Sequence, residues 1–198
     1  NLQECLERGN STIFFSATLL PVNYYKNLLS SKKDNYAVYA DSVFREEQRL
    51  LFIGRDVSSL YTRRTIGEFR RIALYIQQVL RAKKGNYLIF FPSYRFMEDL
   101  YEQFLAVNEQ EADCIMQSGN MNEAEREEFM QEFVESREKS LAAFCVLGGI
   151  FSEGIDLKED LLIGVLIVGT GLPQICTQRE ILKEYYQKEN GQGFDYAY

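Results

Sequence analysis

The sequence contains no histidine and no tryptophan, and its 198 residues include only three prolines and four cysteines. The cysteines, Cys5, Cys114, Cys145 and Cys176, lie far apart and form no C-x-x-C pair. Zinc sites draw on closely spaced cysteines and histidines, so this pattern predicts no metal site in the chain. We expect all four cysteines to be buried free thiols.

Long apolar runs and an excess of positive charge are also missing. No run approaches the roughly 20 apolar residues that span a bilayer, and the opening NLQECLERGN lacks the layout of a signal peptide. We therefore expect a cytoplasmic protein without membrane contacts. Twenty-nine acidic against 22 basic residues give a net charge of −7, which argues against nucleic-acid binding. Basic clusters at 63–71 and 81–84 nevertheless keep that partner open.

What the chain does have is an alternation of short β-rich runs and amphipathic stretches, typical of parallel βαβ units. We predict one α/β domain with a mainly parallel sheet of about five to seven strands, covered by helices on both faces. The predicted strands are 11–19, 36–40, 49–54, 86–91, 113–117, 141–147 and 161–169. The predicted helices are 22–30, 65–85, 93–107, 122–136 and 177–190, with Ser93 as one N-cap and Asn122 and Glu125 as a capping box.

Three predicted strands end in polar, backbone-permissive segments: SAT at 16–18, PSY at 92–94 and GGIFSEGIDL at 148–157. Ligands of open parallel sheets bind beyond the carboxyl ends of the strands. These segments therefore predict a functional rim along one edge. The acidic loop at 148–157 would repel phosphates, and it suits a ribose or a metal-bound water better.

Each segment also has a purely structural interpretation, which the residues alone leave open. Gly149 and Gly154 can supply turns with positive φ, and Ser152 can cap the following segment. Ser93 could be a helix cap and nothing more. Alternatively, the helix N-terminus that it caps, together with Tyr94 and Arg95, could bind a phosphate or a base. Ser16 and Thr18 can simply bond to nearby backbone.

Five strings, taken together, resemble the second RecA-like motor domain of the DinG/XPD family of superfamily 2 DNA helicases. They are FFSATLLP, FFPSYRFMEDL, GGIFSEGIDL, LPQICTQREILKEYY and FDYAY, in the order found in that family. The likeness covers nearly the whole chain and implies a RecA-like, P-loop-NTPase-type three-layer sandwich over 1–198. Residues 1–20 could belong to the link from the first motor domain.

The resemblance implies roles for individual residues. SAT is similar to helicase motif III, so Ser16 and Thr18 would couple nucleotide state to strand movement. PSY is similar to motif IV, which places Ser93, Tyr94 and Arg95 on single-stranded DNA. FSEGID is similar to motif V, where the ATP cleft meets the DNA path. The implied nucleotide-binding residues there are Gly149, Ser152, Glu153, Gly154 and Asp156.

The implied activity is ATP-driven translocation and unwinding of single-stranded or forked DNA, with 5′-to-3′ polarity, ATP and Mg²⁺. The sequence contains no G-x-x-x-x-G-K-[ST] loop, D-E-A-H-like box or motif VI. We expect the first two, and any iron–sulfur cluster, in a first RecA-like domain of the same polypeptide, so that this piece alone is inert. A stand-alone α/β interaction or nucleotide-binding module remains the alternative.

Overall fold

The computed structural model describes residues 2–16, 18–32, 34–172 and 175–198, and it divides into two units, Asn1–Phe52 and Ile53–Tyr198. The first unit contains helices α1 (Leu2–Leu6) and α2 (Val22–Leu29) and a 3₁₀ turn at Glu46–Gln48. None of its described residues is buried. The division falls well after residue 20, and the assignment of 1–198 to one motor domain stays a prediction.

The three strands predicted before residue 55 are wrong. The described residues of 11–19, 36–40 and 49–54 form no strand, and most of their large apolar side chains are exposed, for example Phe15 to 91%, Tyr36 to 97% and Val38 to 92%. A β-rich run becomes a strand only when a neighbouring strand takes up its backbone N–H and C=O groups. Nothing in the described residues pairs with these three runs.

The second unit holds the sheet. Its helices and strands in chain order are α3 (Ile66–Ala82), β1 (Asn86–Phe91), α4 (Tyr94–Asn108), β2 (Ala112–Met116), α5 (Glu123–Gln131), β3 (Ser140–Val146), β4 (Gly164–Ile167), α6 (Thr177–Asn190) and α7 (Gly193–Ala197). All four strands are parallel, in the order β2-β3-β1-β4. The parallel α/β architecture is thus confirmed, with four strands among the described residues instead of five to seven.

Side chains alternate across the central strand β1 and fill two separate cores. Tyr87, Ile89 and Phe91 pack with α3 and α4 on one face in the first core, where Phe144 stacks on Phe91 with ring centroids 5.6 Å apart. Leu88 and Phe90 point to the other face, into the second core, which also contains the side chains Phe129, Phe133, Leu141, Ala143, Cys145 and Phe151. Covered faces explain why β1 and β3 are buried along their whole length.

Local sequence signals set the helix ends. Ser93 caps α4 by accepting a hydrogen bond from the Phe96 N–H at 3.3 Å. Asn122 and Glu125 form the predicted capping box at α5, at 3.1 and 2.7 Å. Helix α6 covers the predicted range, whereas α5 ends at Gln131, five residues early. Among the described helices, none has the length and apolar character needed to cross a bilayer.

Strand β4 departs from its prediction as a central strand. Among the described residues it pairs with β1 alone, and Val165 and Ile167 remain 51% and 64% exposed. Its apolar sequence is that of a covered strand, but its place at the end of the strand order leaves one edge and part of one face open. Apolar composition therefore does not distinguish an edge position from a central one.

The cysteines separate into two classes, which corrects the expectation that all four are buried. Cys145 is buried and Cys114 half-buried, whereas Cys5 and Cys176 are exposed free thiols. Burial raises the pKa of Cys114 to about 11 and that of Cys145 to about 12. The nucleophilic thiolate of both is therefore scarce at pH 8.

We expect iodoacetamide at pH 8 to modify Cys5 and Cys176 in the folded protein and to spare Cys114 and Cys145. Peptide mass spectrometry before and after unfolding in guanidinium chloride measures this directly. All four thiols should react once the chain is unfolded. Rapid labelling of Cys145 in the native protein would contradict the buried position of β3.

Candidate nucleic-acid and nucleotide interface

The carboxyl ends of β1 and β3 lie side by side. The two strands are parallel neighbours, with Phe91 opposite Val146, and the Leu147 N–H donates to the Phe91 carbonyl at 2.8 Å. The PSY segment and the loop that starts at Gly148 therefore leave the sheet at the same edge. That part of the predicted rim is confirmed as geometry.

The three residues at the start of α4 that the resemblance places on DNA, Ser93, Tyr94 and Arg95, differ in how far the fold already uses their side chains. Ser93 is the α4 cap, as its structural interpretation predicted. Tyr94 is half-buried, and its hydroxyl accepts a hydrogen bond from Gln117 Nε2 at 2.9 Å. Arg95 is exposed on the first turn of α4. Of the three, Arg95 is the best placed to meet a phosphate.

The loop after β3 is fixed at its root. Ser152 Oγ donates to the Val146 carbonyl at 3.1 Å, and the Gly149 N–H donates to the same carbonyl at 3.0 Å. The serine hydroxyl thus closes the loop on itself and does not cap a following segment. A hydroxyl held in this way orients the loop backbone, which is the part that a ligand at this edge would meet.

One of the two positive-φ glycines predicted in the loop has that conformation. Gly154 adopts the predicted positive φ, at 75°, and Gly148 adopts one too, at 71°. Gly149 does not, and the prediction of a left-handed turn there is wrong. A Cβ at Gly149 would lie 2.8 Å from Gln117 Nε2 and 2.9 Å from the Val146 oxygen, so its glycine is required by a close approach.

The two carboxylates of the loop are on the surface. Glu153 is exposed, and Asp156, 75% exposed, pairs with Lys158 Nζ at 3.1 Å. Beyond Gly154 the chain returns across the second core toward β4, and Ile155 and Leu157 pack against that core. The structure joins PSY to the loop root through Gln117 and Val146, while the described contact of Asp156 is with Lys158.

Gln117 is the residue of this rim that the sequence interpretation missed. It follows β2, is 1% exposed, and accepts the Val146 N–H at 3.0 Å while donating to Tyr94. Its position in the sequence could have identified it, because it is the polar residue at the end of the predicted strand 113–117. The strand-end rule that selected Ser93 and Gly149 applies equally to it.

The basic cluster at 63–71 is largely used inside the fold. Arg71 Nη1 lies 3.2 Å from Glu68 Oε2, a carboxylate that is only 7% exposed. Arg64 stacks over the Phe96 ring, 4.4 Å from its centroid. The Arg64 contact fastens the segment before α3 to the start of α4, whereas the Arg71 pair lies within α3. Because Arg64 and Arg71 already have partners within the fold, the cluster is weaker evidence for a nucleic-acid-binding surface than its composition indicates.

Residues 76–198, more than half of the chain, match the family model described as "Helicase C-terminal domain". The chain belongs to the helicase C-terminal domain family. This confirms the resemblance to the second motor domain of DinG/XPD helicases.

The chain is also similar to one curated protein and to two solved structures, as expected for a helicase C-terminal domain. The chain is 28% identical over 194 residues to the ATP-dependent DNA helicase XPD of Sulfolobus acidocaldarius, covering 90% of this chain and 33% of that protein. It thus spans about a third of the length of that relative. An XPD helicase structure matches at a TM-score of 0.53 with 24% identity, over 71% of this chain and 25% of that one. An apo XPD structure matches at 0.50 with 23% identity, over 65% and 25%. At such identities the structural matches show the fold alone.

Ser16 and Thr18 lie in the first unit, before the residues that match the family model, and are exposed. Ser16 Oγ accepts the Thr18 N–H at 3.1 Å, which confirms the local backbone bonding predicted for Ser16, whereas Thr18 Oγ1 lies 3.2 Å from the Ser16 hydroxyl. They follow no strand, and the expectation of a strand end there is wrong. Ala17 between them lies outside the described residues, as do Pro173 and Gln174 of the fourth resembling string.

The opposite, amino edge of the sheet carries a cavity of about 350 Å³. Arg81 and Glu111 face each other across part of its lining, with Nη2 and Oε1 2.8 Å apart. Because ligands of parallel sheets bind at the carboxyl edge, this cavity is not the candidate site. Among the described residues, no group of three or more acidic or cysteine side chains is arranged to bind a metal ion.

Proposed function

We propose that this chain is the second motor domain of a longer ATP-dependent DNA helicase that translocates 5′ to 3′ on single-stranded or forked DNA. The observation that carries the proposal is the parallel register of β1 and β3, with Phe91 opposite Val146. It brings the segment similar to motif IV and the loop similar to motif V to one edge. Membership of the helicase C-terminal domain family supports the same conclusion.

In this proposal the two segments meet different ligands. Ser93, Tyr94 and Arg95 would contact single-stranded DNA, with the exposed Arg95 guanidinium on a phosphate and the accessible part of the Tyr94 ring against a base. The loop would contact the nucleotide through its backbone and the exposed Asp156 carboxylate. The proposed nucleotide-binding residues are Gly149, Ser152, Glu153, Gly154 and Asp156. Ser16 and Thr18 would couple the two events.

The donor set fits part of an ATP site. Exposed Asp156 and Glu153 can bind a ribose hydroxyl or an arginine, and the positive-φ glycines leave loop backbone uncovered. Bound ATP and Mg²⁺ would supply the phosphoryl-transfer chemistry. The groups that cradle the phosphates and the metal would come from the first RecA-like domain. The cytoplasmic location and any iron–sulfur cluster of the longer protein stay predictions.

Arg95→Ala in the full-length protein tests the DNA side of the proposal. Loss of one phosphate contact should lower the affinity for single-stranded DNA and reduce the salt slope, the change of log K with log salt, by about 1. Fluorescence anisotropy at salt concentrations from about 50 to about 200 mM measures both quantities. Because Arg95 is exposed, its removal should leave the melting temperature nearly unchanged.

Lys84→Ala is the matched control, since it removes one exposed positive charge at the opposite edge of the sheet. It should leave the salt slope unaltered. Equal slopes for the two variants would contradict the DNA contact. The rate of ATP hydrolysis by the unmodified full-length protein should also rise with single-stranded DNA. A rate unchanged by DNA would favour the alternative, an interaction or nucleotide-binding module without motor activity.

A further inference from the structure

Gln117 occupies the point where three strand ends meet. Its side-chain oxygen accepts the Val146 N–H at 3.0 Å, its side-chain nitrogen donates to Tyr94 Oη at 2.9 Å, and its own N–H donates to the Phe144 carbonyl at 2.8 Å. The Val146 N–H can only donate, so it fixes which end of the amide faces β3. The NH₂ group is thereby directed at Tyr94.

The same amide lies directly against the loop that follows β3. A Cβ on Gly149 would come within 2.8 Å of Gln117 Nε2 and 3.2 Å of Oε1. The backbone of Val146 is held at its carbonyl as well as at its N–H, because the carbonyl accepts from Ser152 Oγ at 3.1 Å. A change in the orientation of the Gln117 amide would therefore alter its contacts with Val146 and Gly149 at the root of the loop.

The two ends of this link differ in exposure. Tyr94 is half-buried and precedes the exposed Arg95, whereas Gln117 and Val146 are buried. If a ligand displaced the Tyr94 hydroxyl, the amide NH₂ of Gln117, a side chain only 1% exposed, would lose its partner, which is unfavourable for a buried donor. The amide would then rotate or the loop root would move. The position of Tyr94 and that of the loop are therefore energetically linked.

We propose that Gln117 is a positioning residue that couples single-stranded DNA at Tyr94 to the nucleotide-binding loop through Val146 and Gly149. The inference rests on the proposed function, because it needs DNA on one side and ATP on the other. Coupling of this kind is reciprocal: a nucleotide that alters DNA affinity through the amide is itself bound differently when DNA is present.

Two variants of the full-length protein, Tyr94→Phe and Gln117→Met, test the link. Tyr94→Phe keeps the ring and deletes only the hydroxyl that accepts from Gln117. Gln117→Met keeps the length of the side chain and deletes both of its hydrogen bonds. The readout is the ratio of single-stranded DNA affinities, by anisotropy, with and without a non-hydrolysable ATP analogue. Melting temperatures are recorded for every variant.

We expect each variant to change this ratio toward unity by about two- to tenfold, the range of one net hydrogen bond. The double variant should show no further change, because both substitutions break the same connection. A merely structural role would lower the melting temperature and leave the ratio intact. A ratio in Tyr94→Phe equal to that of the unmodified protein would overturn the inference and leave the proposed function standing. An unmodified protein whose DNA affinity ignores the nucleotide would overturn both.

Discussion

Phe144→Ala is expected to lower the free energy of unfolding of the second unit by about 3–5 kcal/mol, the range for truncating a buried phenylalanine. Phe144 lies in the middle of β3 with no exposed surface, and its ring contacts those of Phe91, Tyr101 and Phe104 at centroid distances of 5.6, 4.9 and 5.3 Å. Alanine would leave a cavity that these neighbours, themselves fixed by α4 and β1, cannot fill. Urea unfolding followed by circular dichroism measures the change.

Phe194→Ala provides the comparison. Its side chain, in α7, is 56% exposed, and its ring lies 5.4 Å from that of Tyr198. Removing it should cost less than about 1 kcal/mol, as for most surface positions. If both variants unfolded at the same urea concentration, the placement of Phe144 at the centre of the first core would be wrong.

If the proposed function is right, Asp156→Ala in the full-length protein should depress ATP turnover by about ten- to a hundredfold, which corresponds to the loss of one charge-assisted contact of roughly 1.5–3 kcal/mol. The reason is chemical: a carboxylate that orders the ribose or a closing arginine acts in the reacting state and so lowers the barrier. Steady-state hydrolysis at saturating ATP, with and without single-stranded DNA, measures the effect.

The exposed position of Asp156 allows this variant to separate a loss of activity from a loss of stability. Asp156 is 75% exposed, and its ion pair with Lys158, itself 74% exposed, is of a kind that contributes between about 0 and 1 kcal/mol to stability. Lys158→Ala breaks the same pair but retains the carboxylate, and it should hydrolyse ATP at nearly the unmodified rate. If Asp156→Ala lost activity only in proportion to a lowered melting temperature, the carboxylate would have a structural role instead.

The elements of the second unit were largely predictable because their signals are local. Helix α3 shows its apolar face at a helical period, and Phe69, Ile72 and Ile76 are indeed buried. The caps at Ser93 and Asn122 depend only on residues within one turn. The runs that became β1 and β3 are continuously apolar because the sheet is covered on both faces.

The candidate site was predictable only in outline. Strand ends at the same edge of a parallel sheet come together whatever the loop sequences are, so the meeting of PSY with the loop followed from topology. The contacts that organise the rim did not follow. That Gly149 is needed for the close approach of Gln117, and not for a positive φ, depends on residues 32 positions apart in the chain.

By itself, the sequence determined the helices and strands of residues 66–190 that carry local periodicity or caps, and the family through its ordered motifs. The tertiary structure alone decided which β-rich runs became strands. The runs at 11–19 and 36–40 have the composition of strands but no partner among the described residues, while β4, equally apolar, lies at an edge. Strand formation is a pairing reaction between distant segments, so its outcome is not encoded in any one of them.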